Sequence, residues 1–149
     1  MKALKLAGTF TALASFVHIA IILGGGDWYR FFGAGEDMAA MSEQGSAYPA
    51  IVTGAIAMVL AIWSAYAFSG AGVLHKLPMT KVVLSLITVV LLARGLLAIP
   101  AAVYSDSPYM AELAGNMTFL LVTSVICLAL GSCYGLGVYQ LIKAKPSAA

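Results

Sequence analysis

The chain has 149 residues, of which 62% are hydrophobic and only 9% are charged, against about 45–50% and about 25% in typical soluble domains. This number of charged residues is too small to cover the surface of a soluble fold of this size. The composition therefore excludes a soluble globular domain and predicts a membrane protein. The net charge of +2, with its basic residues dispersed along the chain, gives no signal for nucleic-acid binding.

Four apolar segments are long enough to cross a bilayer as helices, each of which needs about 20 residues. The first covers residues 6–23 and ends at three glycines, residues 24–26, which favour termination of the helix. Lys2 and Lys5 could begin a signal peptide, but no small-x-small cleavage site follows, so an uncleaved anchor is favoured. The other three predicted spans cover residues 49–68, 82–103 and 117–142.

These segments predict an all-α fold in a single domain, residues 1–149. We expect an integral membrane four-helix bundle of up-and-down topology, because the connections are short enough to make successive helices antiparallel neighbours. The loop between the first two spans should add a short amphipathic helix over Glu36 to Gln44. Acidic residues in its first turn would face the positive end of the helix dipole.

The charged residues predict the orientation of the bundle. In a four-span chain, all six lysines fall on one side and all six acidic residues fall on the other. The positive-inside rule then places both termini in the cytoplasm. The lysines are Lys2, Lys5, Lys76, Lys81, Lys143 and Lys145, and the acidic residues are Asp27, Glu36, Asp37, Glu43, Asp106 and Glu112.

Arg94 carries the strongest functional signal in the sequence. It lies inside the third predicted span, where a charged side chain is costly and marks a candidate site. Side chains tilt toward the N-terminus of their helix, so Arg94 should lean toward the membrane centre instead of reaching the outer surface. Its neighbours on the same helix face are Val90, Leu91, Leu97 and Ala98. A partner must therefore come from another helix, a loop, water or a ligand.

His18 is the second candidate for a ligand site. It lies about 8 Å below the outer end of the first predicted span, at a depth similar to that of Arg94. Taken alone, His18 favours a structural interpretation, a hydrogen bond to a nearby carbonyl or hydroxyl. With Arg94 at the same level, it predicts an outward-facing polar pocket in which Arg94 anchors the ligand and His18 forms a hydrogen-bonding or protonatable wall.

The first outer loop is the third candidate, because it is too aromatic for a plain solvated linker. Trp28 could lie on the membrane surface or form part of a lid over the pocket. Asp27, Glu36 or Asp37 could supply the countercharge to Arg94. An interfacial anchor whose carboxylates stay in water fits the loop equally well.

No pattern in the sequence points to a catalytic residue, a cofactor or a metal. His18 and His75 fall on opposite sides of the predicted membrane and cannot ligate one metal or haem together. Cys127 and Cys133 form no Cys-x-x-Cys motif, which favours free buried thiols. Gly131 and Gly135 form a Gly-x-x-x-Gly pair, for which packing inside the bundle is favoured over a dimer face.

Three stretches of sequence carry a resemblance to known proteins: WYRFFGAGEDMAAM, YPAIVTGAIAMVLAIWSAYAFSGAG and LLARGLLAIP. Together they cover roughly the middle two thirds of the chain. They resemble a group of small, uncharacterised four-span inner-membrane proteins of bacteria. The resemblance implies the topology and the membrane, and it supplies no activity or site residue.

Three functions follow from these residues. The leading one is a non-enzymatic membrane protein that binds or transports a small anionic or amphipathic ligand. Transport would be expected of a homo-oligomer. The second is an accessory or scaffold subunit of a larger membrane complex, with Arg94 in a structural ion pair. The third is a membrane enzyme acting on a lipid or quinone through His18, which the absence of a neighbouring nucleophile disfavours. The expected partners are the lipid bilayer and a small ligand, without nucleic acid.

Overall fold

The computed structural model describes residues 1–143, which form seven helices. Residues 144–149, which include Lys145, lie outside the described residues. In chain order the helices are α1 (Lys2–Gly24), α2 (Gly26–Phe31), α3 (Glu36–Glu43), α4 (Tyr48–Gly70), α5 (Thr80–Tyr104), α6 (Pro108–Gly115) and α7 (Met117–Lys143).

Four of these helices, α1, α4, α5 and α7, are long and apolar enough to cross a membrane. They lie where the four apolar segments were predicted, with ends shifted by a few residues, and they indicate a multi-pass membrane protein. The all-α class is therefore confirmed for residues 1–143. The short helix predicted over Glu36 to Gln44 is present as α3.

Two short helices occupy stretches that the sequence predicted as loops. α2 begins directly after Gly25, whose φ of +68° turns the chain sharply at the end of α1; only glycine adopts this conformation without steric cost. α6 begins at Pro108, and proline is well suited to a first turn because its missing N–H has no helical partner there. Both helices are too short to show a clear periodicity in the sequence.

The long helices pack as two antiparallel pairs, α1 on α4 and α5 on α7. In the first pair, Gly8 lies against Ala67 near one end and Ile22 lies against Gly54 near the other. α1 also contacts α7, and α4 contacts α5, whereas within residues 1–143 no Cα atom of α1 lies within 8 Å of a Cα atom of α5. α1 and α5 therefore lie on opposite sides of the helix cluster.

Hydroxyl groups join α1, α4 and α7 in the interior. Tyr134 is fully buried, and its hydroxyl lies 3.1 Å from the hydroxyl of Thr11 and donates to the carbonyl of Trp63 at 3.3 Å. Ser64 donates to the carbonyl of Gly8 at 2.8 Å. These bonds satisfy polar groups that would be costly to bury alone, and they fix the register of α1 against its neighbours.

Glycines on α7 let that helix approach α5 closely. A Cβ atom at Gly131 would lie 2.9 Å from Cδ2 of Leu92 and 3.2 Å from its backbone nitrogen. A Cβ atom at Gly135 would lie 3.2 Å from Cγ2 of Thr88. Both members of the Gly-x-x-x-Gly pair therefore serve packing within the molecule, as favoured from the sequence.

The two ends of the helix cluster differ in charge. One end carries α2, α3 and α6 and the chain's six acidic side chains, and we call it the acidic end. The other carries the start of α1, the end of α7 and the connection over residues 71–79, and we call it the basic end. Lysine is the only charged residue type at the basic end within residues 1–143.

Candidate functional site

A cavity of about 350 Å³ lies between the second half of α5, α6 and the start of α7, toward the acidic end. We call it the Arg94 cavity. Apart from the guanidinium of Arg94 and the hydroxyl of Tyr109, the side chains of its walls are apolar. The lining residues are Ala93, Arg94, Leu97, Ala98 and Ala101 of α5, Tyr109, Met110 and Leu113 of α6, and Leu120 of α7.

The helical period of α5 explains why Arg94 faces this cavity. α5 packs against its neighbours through a buried stripe with spacings of three and four, which includes Leu84, Ile87, Leu91 and Gly95. Arg94 lies beside this stripe and is exposed. The same face of α5 continues with Leu97, Ala98 and Ala101. The guanidinium of Arg94 therefore lies next to an apolar surface of its own helix.

Arg94 makes no hydrogen bond and no ion pair with any residue in the described range 1–143; the ion pairs there all belong to Arg30. None of the three carboxylates expected to neutralise Arg94 pairs with it: Asp37 forms no ion pair within residues 1–143, and Asp27 and Glu36 pair elsewhere. These last two carboxylates pair with Arg30, which is much nearer to them in the sequence and shares their end of the molecule.

Arg30 is the centre of a cluster of carboxylates at the acidic end. Its guanidinium donates to Glu36 at 2.7 and 2.8 Å and to Glu43 at 2.5 and 3.2 Å, and it reaches Asp27 at 3.4 Å. The hydrogen bonds from Arg30 lower the pKa of both glutamate carboxyls, and they raise the pKa of Arg30. The cluster ties α2 to both ends of α3.

Contacts between the two acidic-end segments hold α6 at the mouth of the Arg94 cavity. The carboxylate of Glu112 on α6 accepts hydrogen bonds from the backbone N–H of Glu36 at 2.9 and 3.2 Å, at the start of α3. Tyr109 donates to the carbonyl of Gly33 at 3.2 Å. Tyr109 also lines the cavity, so these hydrogen bonds position one residue of the cavity wall.

The structure does not bring His18 to Arg94. His18 is on α1, which within residues 1–143 has no Cα atom within 8 Å of one in α5, and its Nδ1 donates to the carbonyl of Ala14 at 2.7 Å, one turn earlier. This bond to Ala14 is the local hydrogen bond to a carbonyl that the structural interpretation of His18 predicts. The polar level predicted for the outer half is therefore divided between two faces of the molecule.

The remaining predicted residues also lie away from the cavity. Trp28 packs over Gly24 at the end of α1, and its ring centroid is 5.8 Å from that of Phe32. Asp37 is exposed in the first turn of α3. The segment over the cavity is α6, not the aromatic first loop.

Sequence reasoning missed two features of this region. Arg30 was not singled out, although it is the only basic residue among the acids of the first outer loop, and that isolation was a usable signal for an ion-pair centre. The cavity wall formed by Met110 and Leu113 was also missed. Their three-residue spacing in α6 favours one helix face, but eight residues are too few to make this periodicity stand out.

The arrangement at Arg94 can bind an anion that carries an apolar group. A guanidinium offers parallel N–H donors that match a carboxylate or a phosphate, and the adjoining walls can cover methylene groups. Comparison with protein-family models, with curated proteins and with solved structures finds no match to this chain.

Proposed function

We propose that this chain is an integral membrane protein that binds a small amphipathic anion in the Arg94 cavity. The observation that carries the proposal is an arginine that lines an apolar cavity and has no counterion within residues 1–143. In this proposal α1, α4, α5 and α7 span a bacterial inner membrane as an up-and-down bundle. The charge separation supports cytoplasmic termini and an external acidic end.

The membrane setting makes an unpaired arginine informative. Charged side chains within spanning helices nearly always pair with another group or face a water-filled cavity, because hydrocarbon solvates them poorly. Arg94 lies beside leucine and alanine side chains, so the missing partner is an anion that enters from outside the chain. Transport of such an anion is a use that binding at Arg94 would serve.

The size of the cavity limits the ligand. Its 350 Å³ is near the lower end of the range of about 300–1,000 Å³ for small-molecule sites. A carboxylate or phosphate with a chain of medium length fits this volume, whereas a complete two-chain phospholipid does not. Decanoate, with the neutral alcohol decanol as a matched control, is a suitable probe.

The test is the thermal unfolding of purified protein in a neutral detergent, with and without decanoate. A ligand that binds only the folded state raises Tm, so decanoate should stabilise the wild type and decanol should not. Hydrogen bonds to a charged group contribute about 1.5–3 kcal/mol, so Arg94→Leu should weaken decanoate binding about ten- to hundredfold. Arg94→Lys keeps the charge and should retain part of the response.

A second variant tests the contribution of the cavity to decanoate binding without changing the charge. Ala98→Phe keeps Arg94 and fills the space beside it, so it should abolish the response to decanoate. The proposal fails if Arg94→Leu lowers Tm and leaves the decanoate response unchanged. That outcome supports the accessory or scaffold function, in which Arg94 has a structural role only.

A further inference from the structure

A second cavity, of about 560 Å³, lies at the basic end, between the end of α4, the start of α5 and the end of α7. We call it the basic-end cavity. The nearest α5 residues that line the two cavities, Val82 and Ala93, are about 16 Å apart along the helix axis. Its lining combines two lysines with small and apolar residues, including Gly70, Lys76, Lys81, Val82 and Leu141.

The lysines of this cavity have no carboxylate side chain near them to balance their charge. All six acidic residues of the chain belong to the segments 27–43 and 106–112 at the opposite end. Within residues 1–143, neither Lys76 nor Lys81 forms an ion pair. Two cations that line one cavity, with the acidic side chains a membrane thickness away, attract an anion to that cavity.

The backbone that carries Lys76 is fixed by hydrogen bonds. Ser69, which is 5% exposed, donates to the carbonyl of His75 at 2.8 Å and accepts from the N–H of Leu77 at 2.9 Å. Thr80 donates to the carbonyl of Leu77 at 2.6 Å. One serine therefore holds the residues on both sides of Lys76, so the lysine projects from an ordered connection.

We infer that the basic-end cavity binds the phosphate of an anionic phospholipid from the cytoplasmic leaflet. Lys76 and Lys81 contact the phosphate, and the first part of an acyl chain lies along Val82 and Leu141 toward the membrane core. Basic pockets between spanning helices on the cytoplasmic side suit such head groups. The inference rests on the proposed membrane orientation and is independent of ligand binding at Arg94.

The experiment is native mass spectrometry of the purified protein, titrated with phosphatidylglycerol and, separately, with phosphatidylcholine. The test variant is Lys76→Gln/Lys81→Gln. The matched control is Lys2→Gln/Lys5→Gln, which removes the same charge from the same end without touching the lining of the cavity. A lysine that hydrogen-bonds directly to a charged phosphate contributes roughly a tenfold gain in affinity, so the test variant should bind phosphatidylglycerol about a hundredfold more weakly.

The expected result is a preference for phosphatidylglycerol over phosphatidylcholine that the control variant keeps and the test variant loses. Ser69→Ala should reduce the preference in part, because it frees the connection that carries Lys76. Equal losses in the test and control variants overturn the inference, since they indicate general attraction to positive charge. It is also overturned if inorganic phosphate at millimolar concentration displaces the lipid as effectively as phosphatidylglycerol does.

The Arg94→Leu variant separates this inference from the proposed function. It should bind phosphatidylglycerol at the basic end as the wild type does, while losing its response to decanoate. Loss of the lipid preference in Arg94→Leu overturns the assignment of that preference to Lys76 and Lys81.

Discussion

The two arginines of this chain have contrasting surroundings. Arg30 is held by three carboxylates, with five nitrogen–oxygen distances of 3.4 Å or less. Arg94 lies among leucine, alanine and methionine side chains. A salt bridge at an exposed site organises a loop more than it stabilises the fold. Arg94 has no carboxylate partner within residues 1–143, which is why we propose it as the anion-binding residue.

At the residue scale, we expect the order of α2 and α3 to depend on pH through the Arg30 cluster. The pKa values of Glu36 and Glu43 are lowered by hydrogen bonds from Arg30. Their stabilising effect is complete above the ordinary glutamate pKa of 4.5 and is lost as the pH falls through the lowered values. Fluorescence of Trp28, measured in a Trp63→Phe background, should therefore change in acid.

The matched variants for this prediction are Arg30→Gln and Asp106→Asn. Arg30→Gln should remove the acid transition and give the low-pH signal already at pH 7. Asp106 does not belong to the cluster, so the Trp28 fluorescence of Asp106→Asn should change with pH as it does in the wild type. An unchanged transition in Arg30→Gln would contradict the assignment to these carboxyls.

The sequence was sufficient to select Arg94, because the cost of a charge inside an apolar helix follows from composition alone. It was not sufficient to select the surroundings of Arg94. From the sequence, Asp27 and Glu36 could be the counterions of either arginine. Only the fold of the α2–α3 segment shows that they pair with Arg30. His18 was grouped with Arg94 by depth, but depth does not determine on which side of a helix cluster a residue lies.

At the scale of helices, α5 and α7 should be sensitive to added volume at Gly131. Gly131→Ala places a methyl group 2.9 Å from Cδ2 of Leu92 and close to its backbone, so the helices must separate. Overpacking of this kind typically costs about 1–3 kcal/mol. We expect a clear fall in Tm in detergent, measured by circular dichroism.

Gly115→Ala is the control for this prediction. Gly115 also lies in a helix, and a Cβ atom there meets nothing within 4 Å, so its Tm should not fall. Equal Tm values for Gly131→Ala and the wild type would show that α7 does not depend on close contact with α5 at this point.

The helices divide into those that hydropathy could predict and those that it could not. The long helices can be predicted from hydropathy because a membrane span needs about 20 consecutive apolar residues. α2 and α6 have six and eight residues, and tertiary contacts such as the bond from Tyr109 to Gly33 support α6. The wall of the Arg94 cavity depends on α6, so the cavity could not be predicted from the sequence.

At the scale of the whole molecule, the charge separation predicts which end faces outward. In a background without Cys127 and Cys133, Gln44→Cys should react with a membrane-impermeant maleimide in intact bacterial cells. His75→Cys should react only after the cells are permeabilised. Both test positions are exposed, so differences in labelling report the side of the membrane. The reverse pattern would invert the proposed orientation, and labelling of both positions in intact cells would contradict it.

The position of Arg94 along α5 has an electrical consequence. About ten residues separate it from Tyr104 at the end of the helix, a distance of about 15 Å along the axis. In the proposed orientation, and in a hydrocarbon layer about 30 Å thick, roughly half of the membrane voltage then falls between the outer solution and the guanidinium. An anion that reaches Arg94 from outside moves toward the negative interior against this part of the voltage.

Ligand binding at Arg94 should therefore weaken as the membrane becomes energised. One charge crossing the full field corresponds to about 2.3 kcal/mol per 100 mV, so half of it is about 1.2 kcal/mol, or about a sevenfold loss of affinity for decanoate. Decanoate binding to proteoliposomes, at diffusion potentials set by potassium and valinomycin, measures this dependence. The protein would then release its anion to the outside when the membrane is charged and hold it when the membrane is discharged.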